Sequence, residues 1–247
     1  GMPDSDPLHF CERFALTRWL SDAPGPSADL PLRKIVVVAP PSNLAYVQAE
    51  VDALRALAAR AGLACEMIQT KAELVQLLRQ GEADVLHFAC HGKFDLQEAQ
   101  SSLIVLGNET MEASEIVGSW IGWNGRQGGR KPVRPLVFLN VCDSAQVGLG
   151  LTGLDGWAER FLTDADAGFF IGSIWKTNDE LACEFARGFY DRLFAGTPVA
   201  EALRQARETV KEERVRRKKP GDATYLTYSV FANPQVTVSV LPRGEGG

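Results

Sequence analysis

Four short runs in this chain are apolar at nearly every position: Ile35–Ala39, Val85–Cys90, Leu136–Val141 and Gly168–Trp175. A strand with one face in water alternates apolar and polar residues, whereas a strand covered on both faces does not. Helix-period stretches lie between and after these runs, at about 42–60, 71–81, 153–164, 179–194 and 198–218. Gly62 and Gly81 stop the first two. Thr70-Lys71-Ala72-Glu73 opens the second as a capping box, in which hydroxyl and carboxylate each satisfy a free backbone donor. Repeated strand–helix–strand units predict an α/β fold with a mostly parallel central sheet covered by helices on both faces. Further strands are expected at Cys65–Gln69, Tyr228–Phe231 and Val236–Val240, and one helix at Ala113–Trp120 within the long middle section 93–132.

Residues 1–32 read differently. They are rich in Pro, Asp and Ser, interrupted by the amphipathic piece Phe10–Leu20. The expectation is an extension that docks through one helix and continues as a Pro-rich linker, with a single domain over 33–247. A chain of 247 residues is long enough to bury a full core without staples. Its 26 basic and 31 acidic residues give a net charge of −5, against a dedicated nucleic-acid binder. No apolar run reaches the roughly 18 residues of a membrane span. The polar, acidic start has the features of neither a signal nor a transit peptide. The 5 cysteines form no CxxC pair, against both a zinc cluster and a disulfide framework. Reduced thiols, a cytoplasmic setting and chemistry without cofactor or metal are therefore expected.

In open parallel sheets, sites form at the carboxyl ends of the strands. Two strands end in reactive residues, one in His91-Gly92 and the other in Cys142-Asp143-Ser144. If they are neighbours, a thiol and an imidazole meet at one rim. The thiolate attacks, and the imidazole takes the thiol proton and returns it to the leaving amine. Cys90 is adjacent to His91 and so points to the other face. His87 shares a face with His91 but lies roughly 13 Å away along the strand, too far to hold one metal ion between them. It reads as a packed, hydrogen-bonded strand residue. Gly92 permits a sharp exit from the strand, and its N–H with that of Cys142 would make an oxyanion hole.

The stretch His87-Phe88-Ala89-Cys90-His91-Gly92-Lys93-Phe94-Asp95 resembles the histidine motif of CHAT domains, caspase-like proteases of clan CD. Leu136-Val137-Phe138-Leu139-Asn140-Val141-Cys142-Asp143-Ser144-Ala145 resembles their cysteine motif. Gly168–Asp179 is similar to the following strand and its Trp…Asp signature, here Trp175 and Asp179. Phe189–Gly196 and Ala200–Arg207 resemble the helical tail. The likeness runs in order over about 33–240, with His91 and Cys142 separated by 51 positions, a spacing like that of caspases. It implies a caspase-like three-layer α/β/α sandwich and peptide-bond hydrolysis. Cys142 is then the nucleophile, His91 the general acid/base, and the Gly92 and Cys142 amides the oxyanion hole. The Asn140-Val141-Cys142-Asp143-Ser144 context departs from the caspase Gln-Ala-Cys-x-Gly pattern, so a preference for Asp before the cut does not transfer.

Asp143, Asp179 and Trp175 are the candidate substrate-binding residues. An acid in the first specificity pocket would favour Arg or Lys before the cut. Asp179 has a second reading, as an acid that complements the start of a helix. A carboxylate at Asp143 would oppose thiolate formation, so it is expected to point away from the sulfur. Asp95 or a backbone carbonyl would orient His91.

Other features are weaker. Gly148–Gly153 matches G-x-G-x-x-G but does not open the first strand–helix unit, and no acid ends the next strand. It reads as a loop beside Cys142. Ser144 and Ser173 lack the serine-hydrolase elbow. Lys211–Lys219 reads as a solvated helix end rather than a partner patch. Gly122–Lys131 reads as a mobile surface loop that exposes Arg126 and Arg130. The leading reading is a cysteine endopeptidase that acts on protein or peptide substrates under a separate regulatory protein. The alternative is a caspase-like scaffold that binds partners without cutting.

Overall fold

The computed structural model describes residues 9–93, 101–119, 121–124, 134–143, 152–175 and 177–240, with the backbone alone for 124, 142, 143 and 152–155. In chain order the elements are α1 (Phe10–Arg13), β1 (Leu30–Leu32), β2 (Lys34–Val38), α2 (Val47–Arg60), β3 (Ala64–Ile68), α3 (Lys71–Gln80) and β4 (Val85–Lys93). Then come β5 (Leu103–Leu106), β6 (Glu109–Glu112), β7 (Leu136–Asp143), α4 (Thr152–Glu159) and β8 (Phe169–Ser173). The chain closes with α5 (Asp179–Phe194), α6 (Val199–Arg216), β9 (Tyr228–Phe231) and β10 (Val238–Val240).

The central sheet runs β3-β2-β4-β7-β8-β9. Every pairing along it is parallel except the last, β8 with β9. The apolar runs explain the layering. Ile35, Val37, Phe138 and Ile171 pack under α2, α5 and α6, while Val36, Leu86, Phe88, Val137 and Phe170 pack against α3 and α4 on the other face. Both faces are dry, so neither shows polar alternation. This is the expected three-layer α/β/α sandwich with a mostly parallel sheet.

Three local expectations change. The middle section forms the hairpin β5–β6, and Ala113–Glu115 is a single 3-10 turn rather than the start of a helix. Ile104 and Val105 favour strand, and Gly107 at φ +69° supplies the left-handed turn residue that Leu106 and Asn108 flank. α2 starts at Val47, not Ser42, because Pro40-Pro41 and the turn at Ser42 keep 39–46 irregular. Part of the supposed loop 122–131 is packed: Trp123 is buried and its indole N–H donates to the Ala165 carbonyl.

The basic tract is solvated only in part: Arg216 and Lys218 are exposed, and its other basic residues are engaged. Arg217 pairs with Glu180, with Glu184 at 2.9 Å and with Glu213 at 3.1 Å. Lys219 reaches Glu180 at 2.6 Å. Arg214 is buried, donates to the Pro220 carbonyl at 2.6 Å and stacks 4.7 Å from the Tyr225 ring. These contacts tie the end of α6 to the head of α5. The N-terminal segment is also bound down. Glu12 pairs with Lys211 at 2.6 Å, Arg18 bridges to Phe231, β1 pairs with β10, and Leu30 and Leu32 enter the core.

Candidate active site

The site is built where β4 and β7 leave the sheet. These strands pair in parallel with His87 beside Phe138, Ala89 beside Asn140, His91 beside Cys142 and Gly92 beside Asp143. Registered positions on neighbouring strands share a face and lie roughly 5 Å apart. His91 and Cys142 are therefore lateral neighbours at the carboxyl end of the sheet. Cys90 belongs to the opposite face, fully buried among the residues beneath α3 and α4.

The loop from β2 to α2 arches over this rim. Asn43, in that loop, accepts a hydrogen bond on Oδ1 from Nε2 of His91 at 2.6 Å. The other ring nitrogen, Nδ1, is shielded from solvent and has no hydrogen-bond partner among the described residues. The imidazole is thus held by one nitrogen, with the other buried and unpartnered among the described residues. Three residues further along the loop, the Tyr46 backbone N–H donates to Asp179 Oδ2 at 2.9 Å. Asp179 is the first residue of α5, and Asn178 caps that helix by accepting from Leu181 N–H at 3.3 Å. Asp179 accordingly stands at a helix start and also anchors the loop that holds His91.

Below the rim the same face carries a closed polar network. Glu50 of α2 accepts on Oε1 from His87 Nε2 at 2.7 Å and from Asn140 Nδ2 at 2.6 Å. His87 Nδ1 meets the Tyr190 hydroxyl at 3.1 Å, and the Tyr228 hydroxyl donates to Asn140 Oδ1 at 2.5 Å. His87 is fully buried and Glu50 only 3% exposed. His87 is a hydrogen-bonded core histidine, in line with the sequence.

Two of the other thiols, Cys183 and Cys65, are poor nucleophiles. Burial, helped by the carboxylates of Glu50, Glu184 and Asp179, pushes Cys183 up to about 12. Burial also raises Cys65. A thiol held protonated does not attack.

Gly92 lies inside β4 rather than at its exit, because β4 continues to Lys93 and pairs antiparallel with β5 at Gly92 and Ile104. A Cβ there would sit 2.3 Å from Val141 Cγ1 and 3.0 Å from the Leu103 carbonyl oxygen. Glycine is required by the close approach of two strands. The expected sharp turn after the strand is not what it provides.

The CHAT-domain profile matches residues 12–232. The chain belongs to the CHAT-domain family. No curated protein matches it in sequence. Solved structures do resemble it. Gingipain R of Porphyromonas gingivalis, an Arg-specific cysteine proteinase, aligns with TM-score 0.55 and 11% identity, covering 85% of this chain and 48% of that one. The Saccharomyces cerevisiae separase–securin complex gives 0.52 and 10%, covering 86% and 13%. The Drosophila initiator caspase Dronc gives 0.50 and 10%, covering 88% and 85%. This CHAT chain thus spans about half of gingipain R and a small part of the separase, and it has the caspase-like fold.

Within the CHAT domain, Trp175 stands where β8 gives way to α5. Its backbone N–H donates to Thr227 Oγ1 at 3.1 Å, which in turn donates to its carbonyl at 3.1 Å, and the residue is 37% exposed. Next to it, the Lys219 ammonium, then the Arg217 guanidinium and the Tyr46 hydroxyl hold Glu180 down to about 2. Asp95, Ser144, Gly148–Gly150, Arg126 and Arg130 lie outside the described residues. No group of three or more His, Cys, Asp or Glu that would hold a metal ion occurs among the described residues. No described helix is long and apolar enough to cross a membrane.

The sequence reading passed over Asn43, Tyr46 and Asn140. A signal for Asn43 was present: Pro40-Pro41-Ser42-Asn43 follows a buried strand at the same carboxyl edge. Applying the strand-end rule to β2 as well as to β4 and β7 would have reached it.

Proposed function

We propose that this CHAT domain is a cysteine endopeptidase with Cys142 as nucleophile and His91 as general acid/base. The observation that carries the reading is the lateral register of His91 and Cys142, with one imidazole nitrogen open. The thiol proton passes to His91 as sulfur bonds the scissile carbonyl carbon. The amides of Gly92 and Cys142 receive the developing oxyanion. The intermediate collapses, the C–N bond breaks, and the imidazolium gives its proton to the leaving amine. Water, deprotonated by His91, then releases the acid from sulfur.

Asp179, with Trp175 beside it and Asp143 on the neighbouring strand end, supports a preference for Arg or Lys before the cut. Asp179 spends Oδ2 on Tyr46. A guanidinium or ammonium reaching the carboxylate forms a charge-assisted hydrogen bond. Substrates are proteins or peptides. A separate regulatory protein fits a domain of this kind: the separase structure is a complex with securin, and a gingipain structure a complex of pro- and mature domains. The absence of a CxxC pair in the sequence fits a reducing cytoplasmic setting.

The test is labelling with an electrophilic peptide ending in Arg, on the wild type, Cys142→Ala and His91→Ala. Cys142 should label far faster than Cys65, and His91→Ala should slow it to the Cys65 rate. Equal rates for the two thiols in the wild type would leave a binding scaffold as the function. Asp179→Asn should lower labelling by the Arg probe more than by a Leu probe. Probes ending only in Asp being active would refute the basic preference.

A further inference from the structure

We propose that Asn43 is the positioning residue of this site, fixing the proton of His91 on Nε2 so that Nδ1 is the nitrogen that exchanges a proton with Cys142. The inference rests on the protease reading for what Nδ1 does, but its geometry is independent of it. Oδ1 of an amide only accepts, so the 2.6 Å contact requires a proton on Nε2. A neutral imidazole then carries its lone pair on Nδ1, the atom left without a partner among the described residues. The contact joins the loop that follows β2 to the end of β4, the strand beside it.

The loop that carries Asn43 is held at both ends. Pro40 and Pro41 restrict it as it leaves β2. At the other end, Tyr46 N–H is tied to Asp179 at 2.9 Å. The amide is thus delivered by a loop fastened to the head of α5, where Asn178 caps the helix and Lys219 reaches the cap oxygen at 3.0 Å. A neutral acceptor suits the task. A carboxylate at this place would stabilise the imidazolium and raise its pKa, so that the ring would hold its proton when it should release it. An amide orients the ring with far less effect on its basicity. When the thiol ionises, its proton moves to Nδ1, and the Nε2 proton stays on the ring, donated to Asn43 Oδ1. When the leaving amine is protonated, the same Nδ1 proton departs and the neutral tautomer is restored.

The test follows the two ring nitrogens of His91 in the full chain by nitrogen-15 NMR, with Asn43→Ala and Asn43→Asp beside the wild type. The wild type above its imidazole titration should show Nε2 protonated and Nδ1 bare. Asn43→Ala should give a mixture of tautomers. Asn43→Asp keeps an acceptor, so it should retain the wild-type tautomer and raise the imidazole pKa by about one unit or more. The rate of Cys142 alkylation should fall roughly 10- to 100-fold in Asn43→Ala, and its acid limb should move upward in Asn43→Asp. Nδ1 protonated in the wild type, or a tautomer unchanged in Asn43→Ala, overturns the assignment. If the tautomers behave as stated while Cys142 alkylates no faster than Cys65 in any variant, Asn43 keeps its role in orienting the ring and the protease reading falls.

Discussion

Two histidines lie on the same face of one strand, roughly 13 Å apart, and their surroundings are opposite. His87 is fully buried, with Glu50 on one nitrogen and Tyr190 on the other. His91 has Asn43 on one nitrogen and none on the other among the described residues. Each has a partner position on β7: Glu50 links His87 to Asn140, and the strand register sets Cys142 beside His91. A polar group matched at every lone pair and proton is held in one state. A shielded one left with an open nitrogen is a place for proton transfer. The lower pair therefore belongs to the scaffold and the upper pair to the chemistry.

This contrast predicts that substitutions at the two levels fail in different ways. Cys142→Ala and His91→Ala should abolish cleavage of a basic reporter peptide, by at least roughly 10²- to 10⁴-fold for the base alone. Neither should move the thermal midpoint by more than a degree or so. A large loss of stability in His91→Ala would merge the two levels into one and end the distinction.

The lower level should show the reverse. Glu50→Ala removes the acceptor shared by His87 and Asn140 and leaves both buried without it. Each of the two buried donors left unsatisfied costs about 1–3 kcal/mol. In a chain of this size the two together lower the thermal midpoint by roughly 4–24 °C. Chemical denaturation checks the value. A loss below about 1 kcal/mol would mean that the network does not bear on stability.

Just past the upper level, on the other face of the sheet, Gly92 packs β4 against β7. Gly92→Ala puts a methyl against Val141 Cγ1 and the Leu103 carbonyl. Overpacking of this kind costs about 1–3 kcal/mol. Val141→Ala removes the nearer obstacle and should recover part of the loss in the double variant, a coupling read by a double-mutant cycle. Strict additivity would place the strain elsewhere.

Much of this was legible from the residues, for a physical reason in each case. Strands dry on both faces advertise themselves as apolar runs. Thr70 and Glu73 form the expected capping box, with Thr70 N–H donating to Glu73 Oε2 at 2.9 Å and Glu73 N–H to Thr70 Oγ1 at 3.2 Å. Local chemistry of this sort needs no tertiary knowledge. Contacts set by strand order were not legible. Glu50 sits in a helical pattern where an acid is expected to face water, and only the register of β4, β7 and α5 reveals why it is buried. Asn43 is 48 residues from His91. The basic tract looked solvated because two of its acids, Glu180 and Glu184, stand on another helix. The hairpin at 103–112 was not among the expected elements, although Gly107-Asn108 is a recognised turn pair.

The smallest predicted effect concerns the ion cluster that fastens the rim to the scaffold. Lys219 foremost, then Arg217 and the Tyr46 hydroxyl, lower Glu180 from 4.5 to about 2. A depressed carboxylate contributes stability that is present above its unfolded value and is lost as pH falls toward its folded one. The difference in unfolding free energy between the wild type and Glu180→Gln should therefore be constant from neutral pH down to about 5 and shrink between 4.5 and 2. Solvent screens such surface pairs, so the difference should stay near or below about 1 kcal/mol, and added salt should reduce it. Because Tyr46 belongs to the loop that carries Asn43 and its hydroxyl meets Glu180, Glu180→Gln at neutral pH should disturb the His91 ring resonances while leaving the His87 resonances unchanged. If both histidines respond together, the rim is not separable from the network beneath it, and the division between scaffold and chemistry must be redrawn.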